Sequence, residues 1–172
     1  MKKRVFKIIY IAIAVSAAIS LVGSTVNYLQ FYPALQAVDA KIQAQQVTRD
    51  SQNQPVQVLL QFAVANPTGY SGLRLEYVVI HLYFTASNDT IFKEIPLLGS
   101  NATNTSLGPR SSISLKAGFS LVGNQSSVLA SFLATHGASI VSHYNVEVHL
   151  FTFLDPLAPT LEVVRDVQYP SS

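Results

Sequence analysis

The sequence contains no cysteine and no tryptophan, and only 12% of its 172 residues are charged. Without cysteine, the chain cannot form a disulfide, use a thiolate nucleophile or bind a metal through sulfur. Soluble domains ordinarily carry charge on about a quarter of their residues. Two explanations fit the low charge together: part of this chain lies in lipid, and the rest is poor in charge. An exported domain without disulfides must be held by its hydrophobic core, which about 130 residues can supply.

Positive charge is concentrated at the start of the chain, in Lys2, Lys3, Arg4 and Lys7. The whole chain has 11 basic and 9 acidic residues, so removing these four leaves 7 − 9 = −2 for the remainder. A region with that balance offers no basic surface to a phosphate backbone. Nucleic-acid binding is therefore excluded as a predicted function.

An uncharged apolar run from Ile8 to Val26 follows the basic start. As a helix it would be about 28 Å long, close to the ~30 Å hydrocarbon core of a bilayer. Tyr10 lies near one end of the run, and Tyr28, Phe31 and Tyr32 lie near the other, as interfacial aromatic residues of membrane helices do. We predict a transmembrane helix that ends before Pro33, because proline disfavours further helix.

The distribution of basic residues orients this helix. Four basic residues precede it and none follows until Lys41, and positive residues stay in the cytoplasm. The predicted organisation is a cytoplasmic segment (1–7), a transmembrane helix (8–32), a linker (33–39) and a domain outside the cell membrane (40–172). A cleaved signal peptide is the alternative, because small residues such as Gly23 and Ser24 suit a cleavage site.

Four asparagines begin an Asn-x-Ser/Thr triplet, which is the acceptor sequence for N-glycosylation: Asn88, Asn101, Asn104 and Asn124. Each lies in a segment predicted to be a loop, where an acceptor is accessible. They are candidate glycosylation sites and agree with export of the domain. The alternative is a surface that is simply rich in Ser, Thr and Asn.

Period-two alternation of apolar and polar residues predicts that the exported domain is mainly β. In Ser112–Leu121, for example, Leu115 and Phe119 alternate with Ser114 and Lys116. Seven strands are predicted, over Ala40–Thr48, Val56–Val64, Leu73–Phe84, Thr90–Leu97, Ser112–Leu121, Tyr144–Leu150 and Thr160–Tyr169.

One stretch has helical spacing instead, with Ser126 or Asn124 as its N-cap and Gly137 as its end. It lies between two late strands. This order of elements predicts a seven-stranded antiparallel β-sandwich, immunoglobulin- or fibronectin-like, with one short helix.

The strand that carries His143, Asn145, Glu147 and His149 on one face is the best candidate for a metal site. Successive residues on a face are about 7 Å apart, so Glu147 and His149 could share an ion. A third ligand such as His81 would have to come from a neighbouring strand. The favoured interpretation is a solvated outer strand, and no metal site or cofactor is predicted.

No catalytic constellation is recognisable in the sequence. Gly69-Tyr70-Ser71-Gly72 lacks the G-x-S-x-G spacing of a nucleophile elbow and is predicted to be a turn. The acidic residues are scattered singly, and there is no glycine-rich phosphate loop. We therefore predict no catalytic residue and no enzyme.

The segment from Leu59 to Phe84, LLQFAVANPTGYSGLRLEYVVIHLYF, joins two apolar strands through Asn66-Pro67-Thr68 and a short turn. Proline cannot donate to a strand ladder, and asparagine tolerates a turn. The segment resembles the group 2 late-embryogenesis-abundant (LEA) domain, also called the water-stress and hypersensitive-response (WHy) domain. The strand–Asn-Pro–turn–strand unit is that family's hallmark.

The resemblance covers roughly residues 40–169. It implies a seven-stranded sandwich with one helix, no enzymatic site and, as in several relatives, a single N-terminal anchor with the domain outside the cytoplasm. The family's surface is expected to be charged, whereas this chain is poor in charge.

The predicted function is a membrane-anchored, non-enzymatic module that protects against stress or binds at the cell surface. Its predicted partner is the lipid bilayer. The alternative is an accessory subunit of a larger membrane complex, which would dock through the anchor and an exposed sheet face. Phe151 and Phe153 share the parity of the histidine-bearing face and would suit such a contact.

Overall fold

The computed structural model describes residues 2–86, 89–95, 104–137, 140–152 and 161–170, with the side chains of all but 2, 3, 89–95 and 170. Within these residues the elements are α1 (Lys2–Ala37), β1 (Asp39–Arg49), β2 (Pro55–Asn66), β3 (Leu73–Ala86), β4 (Asp89–Ile95), β5 (Thr105–Leu107), β6 (Ser111–Ser120), α2 (Gln125–His136), β7 (Ile140–Thr152) and β8 (Leu161–Pro170). A long apolar helix followed by a mainly β region is confirmed. Each predicted strand has a counterpart, and the short β5 is additional.

The strands form two antiparallel sheets. The first has the order β1-β2-β6, and the second has the order β4-β3-β7-β8, with β5 paired to β3. Strands β3 and β7 pair over their whole length, from Leu73 opposite Thr152 to Ala86 opposite Ile140. A β-bulge interrupts this pairing between Leu75 and Tyr77.

Buried apolar residues from both sheets form a single hydrophobic core. In β6, Leu115 and Phe119 are buried, whereas Ser114 and Lys116 are exposed. The period-two pattern therefore assigned the two faces of this strand correctly. The same alternation runs along β7, where every second residue from Ile140 onward is buried.

Helix α2 packs onto this core through Leu129 and Phe132, which are buried. It begins after Asn124 and ends at Gly137, as predicted. Gly137 has a φ of 51°, a left-handed conformation that glycine adopts without steric cost. Its backbone N–H donates to the Leu133 carbonyl and closes the last turn.

Helix α1 continues beyond its predicted end, with Pro33 in its interior. Residues 33–39 are therefore not a linker: the helix reaches Ala37, and only Val38 separates it from β1. An interior proline costs about 3 kcal/mol. Burial of Phe31, Leu35 and Val38, worth ~1.5–3 kcal/mol for each large apolar side chain, offsets that cost. Tertiary packing thus overrides the local preference.

Candidate functional site

Asn66, the last residue of β2, is fully buried, and its side chain bonds to groups in the β2–β3 turn and at the end of β5. Its side-chain nitrogen donates to the carbonyls of Tyr70 (2.8 Å), Leu107 (3.2 Å) and Gly108 (3.0 Å). Its Oδ1 accepts bonds from the backbone N–H of Thr68 (3.0 Å) and from its hydroxyl (2.7 Å). Asn66 therefore ties the β2–β3 turn to the segment after β5, and the Asn-Pro motif is an internal structural element.

A second buried polar contact joins α1 to the β domain. Asn27 is buried, its amide nitrogen donates to Thr152 Oγ1 (3.0 Å), and its Oδ1 accepts a bond from the Tyr70 hydroxyl. The Tyr70 hydroxyl also lies 2.8 Å from Thr152 Oγ1. We call Asn27, Tyr70 and Thr152 the junction triad, because they connect α1, the β2–β3 turn and the end of β7.

The position of Tyr70 depends on the glycine two residues later. A Cβ atom at Gly72 would collide with the Tyr70 ring and hydroxyl. The absent side chain lets the tyrosine fold back over the turn and reach α1. The predicted turn Gly69-Tyr70-Ser71-Gly72 is therefore present, and its tyrosine contributes to the attachment of the helix.

Apolar packing surrounds the triad. Phe31 is buried and lies edge-on to Tyr70, with 6.1 Å between ring centroids. Ala34 and Leu35, one turn later, are also buried. The last turns of α1 are consequently part of the domain core.

Arg165, from β8, caps the end of α1. Its Nε donates to the Val38 carbonyl (2.8 Å), and its Nη2 donates to the Gln36 carbonyl. The last turn of the helix contains no basic residue of its own. A guanidinium at this position satisfies free carbonyls and complements the negative end of the helix dipole.

The part of α1 before Asn27 is exposed, in contrast to the packed part that follows. All side chains from Arg4 to Val26 are exposed, and most are large and apolar. Among the described residues, one helix is long and apolar enough to cross a membrane, and it is this one. The exposure changes at Asn27, directly after the predicted apolar run.

The outer face of the β4-β3-β7-β8 sheet carries the predicted histidine cluster. His81 Nε2, on β3, lies 3.3 Å from Glu147 Oε1, and His149 Nε2 lies 3.9 Å from Glu147 Oε2. Glu162, on β8, is directly opposite His149 in the strand register. The structure brings together Glu147, His149 and His81, which the sequence offered only as a possible ligand set. Nothing in the sequence pointed to Glu162, because the β7–β8 register is not visible in a single strand.

Two other residues of the predicted face have different partners. His143 Nε2 lies 2.8 Å from Thr85 Oγ1. The Asn145 amide donates to Asp166 Oδ1 (3.3 Å). Of the aromatic pair proposed for docking, Phe151 is half-buried, and Phe153 lies outside the described residues.

Between the two sheets, Tyr144 connects the inner faces. Its hydroxyl donates to Gln45 Oε1, on β1. Burial raises the pKa of Tyr144 well above its ordinary value, so this phenol stays neutral and acts as a hydrogen-bond donor in the core.

Two of the four glycosylation candidates fall within the described residues. Asn104 and Asn124 are both exposed, as an acceptor must be. Asn88 and Asn101 lie outside the described residues. Glycosylation of the four sites stays a prediction.

No protein-family model matches the chain, and no curated protein matches it. Several solved structures do. A candidate ApaA protein from Bordetella pertussis is 13% identical, with a TM-score of 0.40 over 76% of this chain and 90% of that one. A candidate LEA protein is 11% identical, with a TM-score of 0.38 over 91% and 87%. A protein from Archaeoglobus fulgidus is 16% identical, with a TM-score of 0.39 over 79% and 96%. Such values describe a distant likeness of overall architecture and carry no function to this chain.

Proposed function

We propose that this chain is a membrane-anchored, non-enzymatic β-sandwich module of the LEA/WHy type, held outside the cytoplasm and directly against the bilayer. The observation that carries the proposal is the abrupt change of exposure within α1. Its apolar side chains are exposed up to Val26, and its polar Asn27 is buried in the domain. Exposed apolar surface over that length suits lipid, in which it carries no hydrophobic penalty.

The junction triad determines how the domain is held. If residues 8–26 span the hydrocarbon core, Asn27 lies at its outer boundary, and Tyr70 and Thr152 lie there with it. Only Val38 separates α1 from β1, so the domain has no flexible linker. It is a rigid extension of the anchor and not a tethered, freely rotating unit.

The polar interior supports a non-enzymatic role. Asn66 bonds to backbone groups and to the Thr68 hydroxyl, and the members of the junction triad bond to one another. These side chains hold the fold and present no activated nucleophile. The low charge of the chain favours binding at the cell surface over protection by a highly hydrated, charged surface.

The absence of cysteine makes topology directly testable, because a single introduced thiol is the only reactive one. We expect that Ser120→Cys, an exposed position on β6, is labelled by a membrane-impermeant maleimide in intact cells. A cysteine inserted after Met1 should react only after permeabilisation. The unmodified chain is the control for background labelling. Labelling in the reverse pattern would overturn the orientation.

The same samples test whether the anchor is retained. Intact mass of the membrane-extracted protein should include residues 1–26. A mature chain that begins after Gly23 or Ser24 would show that the apolar run is a cleaved signal peptide, and the membrane-anchored proposal would then be wrong.

A further inference from the structure

The histidine-bearing face contains a group of metal-ligating atoms that converge on one point. Ligand atoms of Glu147, His149 and Glu162 all lie within 4.8 Å of one another. Glu147 and His149 are same-face neighbours on β7, and Glu162 faces His149 from β8. The three therefore come from two paired strands, one of which, β8, is at the edge of its sheet.

The His149 ring is fixed by a stacking contact, and its Nε2 lacks a hydrogen bond within the described part of the chain. The ring stacks on Tyr77, with 4.0 Å between centroids and 20° between planes. Its side chain is 13% exposed. Its Nε2 is buried and has no hydrogen-bond partner among the residues that the structure describes, and Glu147 Oε2 at 3.9 Å is too far to be one. A buried polar atom left unsatisfied costs about 1–3 kcal/mol, and a metal ion at this position would remove that cost.

The two oxygens of Glu147 face different neighbours. Oε1 lies 3.3 Å from His81 Nε2, and Oε2 is turned towards His149. One oxygen can thus bind an ion while His81 holds the other and orients the carboxylate, as second partners of metal ligands do. The β-bulge before Tyr77 lies beside this cluster, and bulges re-aim side chains at such positions.

We propose that Glu147, His149 and Glu162 bind one divalent transition-metal ion, with Zn²⁺ as the best match, and that His81 is a positioning residue. One imidazole and two carboxylates are ligands that Zn²⁺ accepts, and the two negative charges balance the ion. Calcium and magnesium are poorer matches, because they require mainly oxygen ligands. A fourth position is left for water.

The donor spacing is close to what such a site needs. With bonds of ~2.0–2.2 Å, tetrahedral donors are about 3.3–3.6 Å apart. The observed separations, up to 4.8 Å, would have to shorten to that range through side-chain rotations of Glu147 and Glu162 when the ion binds. The ion would join β8 to β7 and stabilise the edge of the sheet.

The test uses the full chain, purified in detergent without a histidine tag and stripped with a chelator. We expect one Zn²⁺ per chain by isothermal titration and by elemental analysis. At a free Zn²⁺ concentration about 100 times the Kd, the Tm of the protein should rise by ~5–10 °C. No binding, or several weak sites with no change in Tm, would overturn the proposal.

Variants separate this site from adventitious binding. His149→Ala and the isosteric Glu162→Gln should each abolish stoichiometric binding and the rise in Tm, with unchanged far-ultraviolet circular dichroism. His143→Ala is the matched control, since His143 lies on the same face of β7 but contacts Thr85, and it should bind Zn²⁺ normally. Equal loss of binding in the His143 and His149 variants would contradict the assignment.

The positioning role of His81 has its own readout. His81→Ala should keep one Zn²⁺ per chain but weaken its affinity about 10–100-fold. Complete loss of stoichiometric binding would show instead that His81 is itself a ligand. Unchanged affinity would show that it has no role at the site.

Discussion

The two parts of α1, before and after Val26, differ in which side chains they bury. From Arg4 to Val26 its apolar side chains point outward and are exposed, whereas after Val26 the polar Asn27 is buried and the apolar Phe31 packs beside it. The part after Val26 is richer in amides and aromatic residues. One of its faces packs on the domain, whereas Leu29 and Tyr32 on the other face stay exposed. Under the proposed function, a single helix is a lipid anchor along one part and a core element of the domain along the other.

The largest expected effect comes from breaking the packed part. Phe31→Ala should lower the free energy of unfolding of the domain by about 3–5 kcal/mol, because it removes a large buried ring and leaves a cavity. Leu29→Ala is the matched control: Leu29 is 71% exposed, and Phe31 is 2% exposed. Its cost should stay below ~1 kcal/mol. Thermal unfolding of both variants in micelles measures the difference, and equal effects would show that α1 does not dock.

Lysine substitutions in the two parts of α1 test which part lies in the membrane. Ile13→Lys places an ammonium in the middle of the exposed apolar part and should oppose membrane insertion by about 2.5–3.5 kcal/mol. Leu29→Lys, beyond Val26, should have little effect, since its charge can reach water. The fraction of protein recovered in carbonate-washed membranes reports insertion. Loss of both variants from the membrane would place the lipid boundary beyond Leu29.

A smaller effect is expected for the polar contact. Asn27→Ala should destabilise the domain by about 1–2 kcal/mol, because it removes the amide that bonds both the Tyr70 and the Thr152 hydroxyls. The matched control is Thr25→Ala, whose hydroxyl bonds only to the Leu21 carbonyl within the helix (2.8 Å). Its cost should be within ~0.5 kcal/mol. Denaturant midpoints in the same detergent give the loss of stability for both variants. Equal losses would show that the junction triad has no stabilising role.

The smallest effect concerns the capped end of α1. Arg165→Lys keeps the positive charge but loses the planar guanidinium that bonds both the Gln36 and the Val38 carbonyls, so we expect the free energy of unfolding to fall by about 1 kcal/mol or less. Arg49→Lys is the control, because Arg49 bonds one carbonyl, that of Asn53, in an exposed turn (2.9 Å). Hydrogen exchange of the Ala37 and Val38 amides is the more sensitive readout. Faster exchange in Arg49→Lys than in Arg165→Lys would contradict the capping role.

Local patterns in the sequence predicted the elements but not their contacts. The alternation around Leu115 reports which face is buried, because the side-chain period of a strand is fixed at two. The end of α1 was predicted too early, because the local effect of Pro33 is visible in the sequence and the burial of Phe31 and Leu35 is not. Likewise, Tyr70 was predicted to be part of a turn, but its bond to Asn27 depends on the packing of distant segments.

The candidate site shows the same limit. The spacing of Glu147 and His149 indicated that they share a face, and His81 was the suggested cross-strand neighbour. Glu162 could not be recognised, since its position depends on the register of β8 against β7. One polar signal was present and overlooked: Asn27 directly follows an apolar run, where a buried amide indicates a contact with other protein groups.

If the chain is exported as proposed, the junction also imposes an order on its folding. Asn27 and Thr152 are 125 residues apart in sequence, and Gln36 and Arg165 are 129 apart. In that topology α1 enters the membrane before its partners on β7 and β8 have been synthesised. The attachment therefore closes only when nearly the whole chain has crossed, and until then the anchor can turn and diffuse independently. A chain stopped before β8 would lack Arg165 and with it the bonds to the Gln36 and Val38 carbonyls at the end of α1.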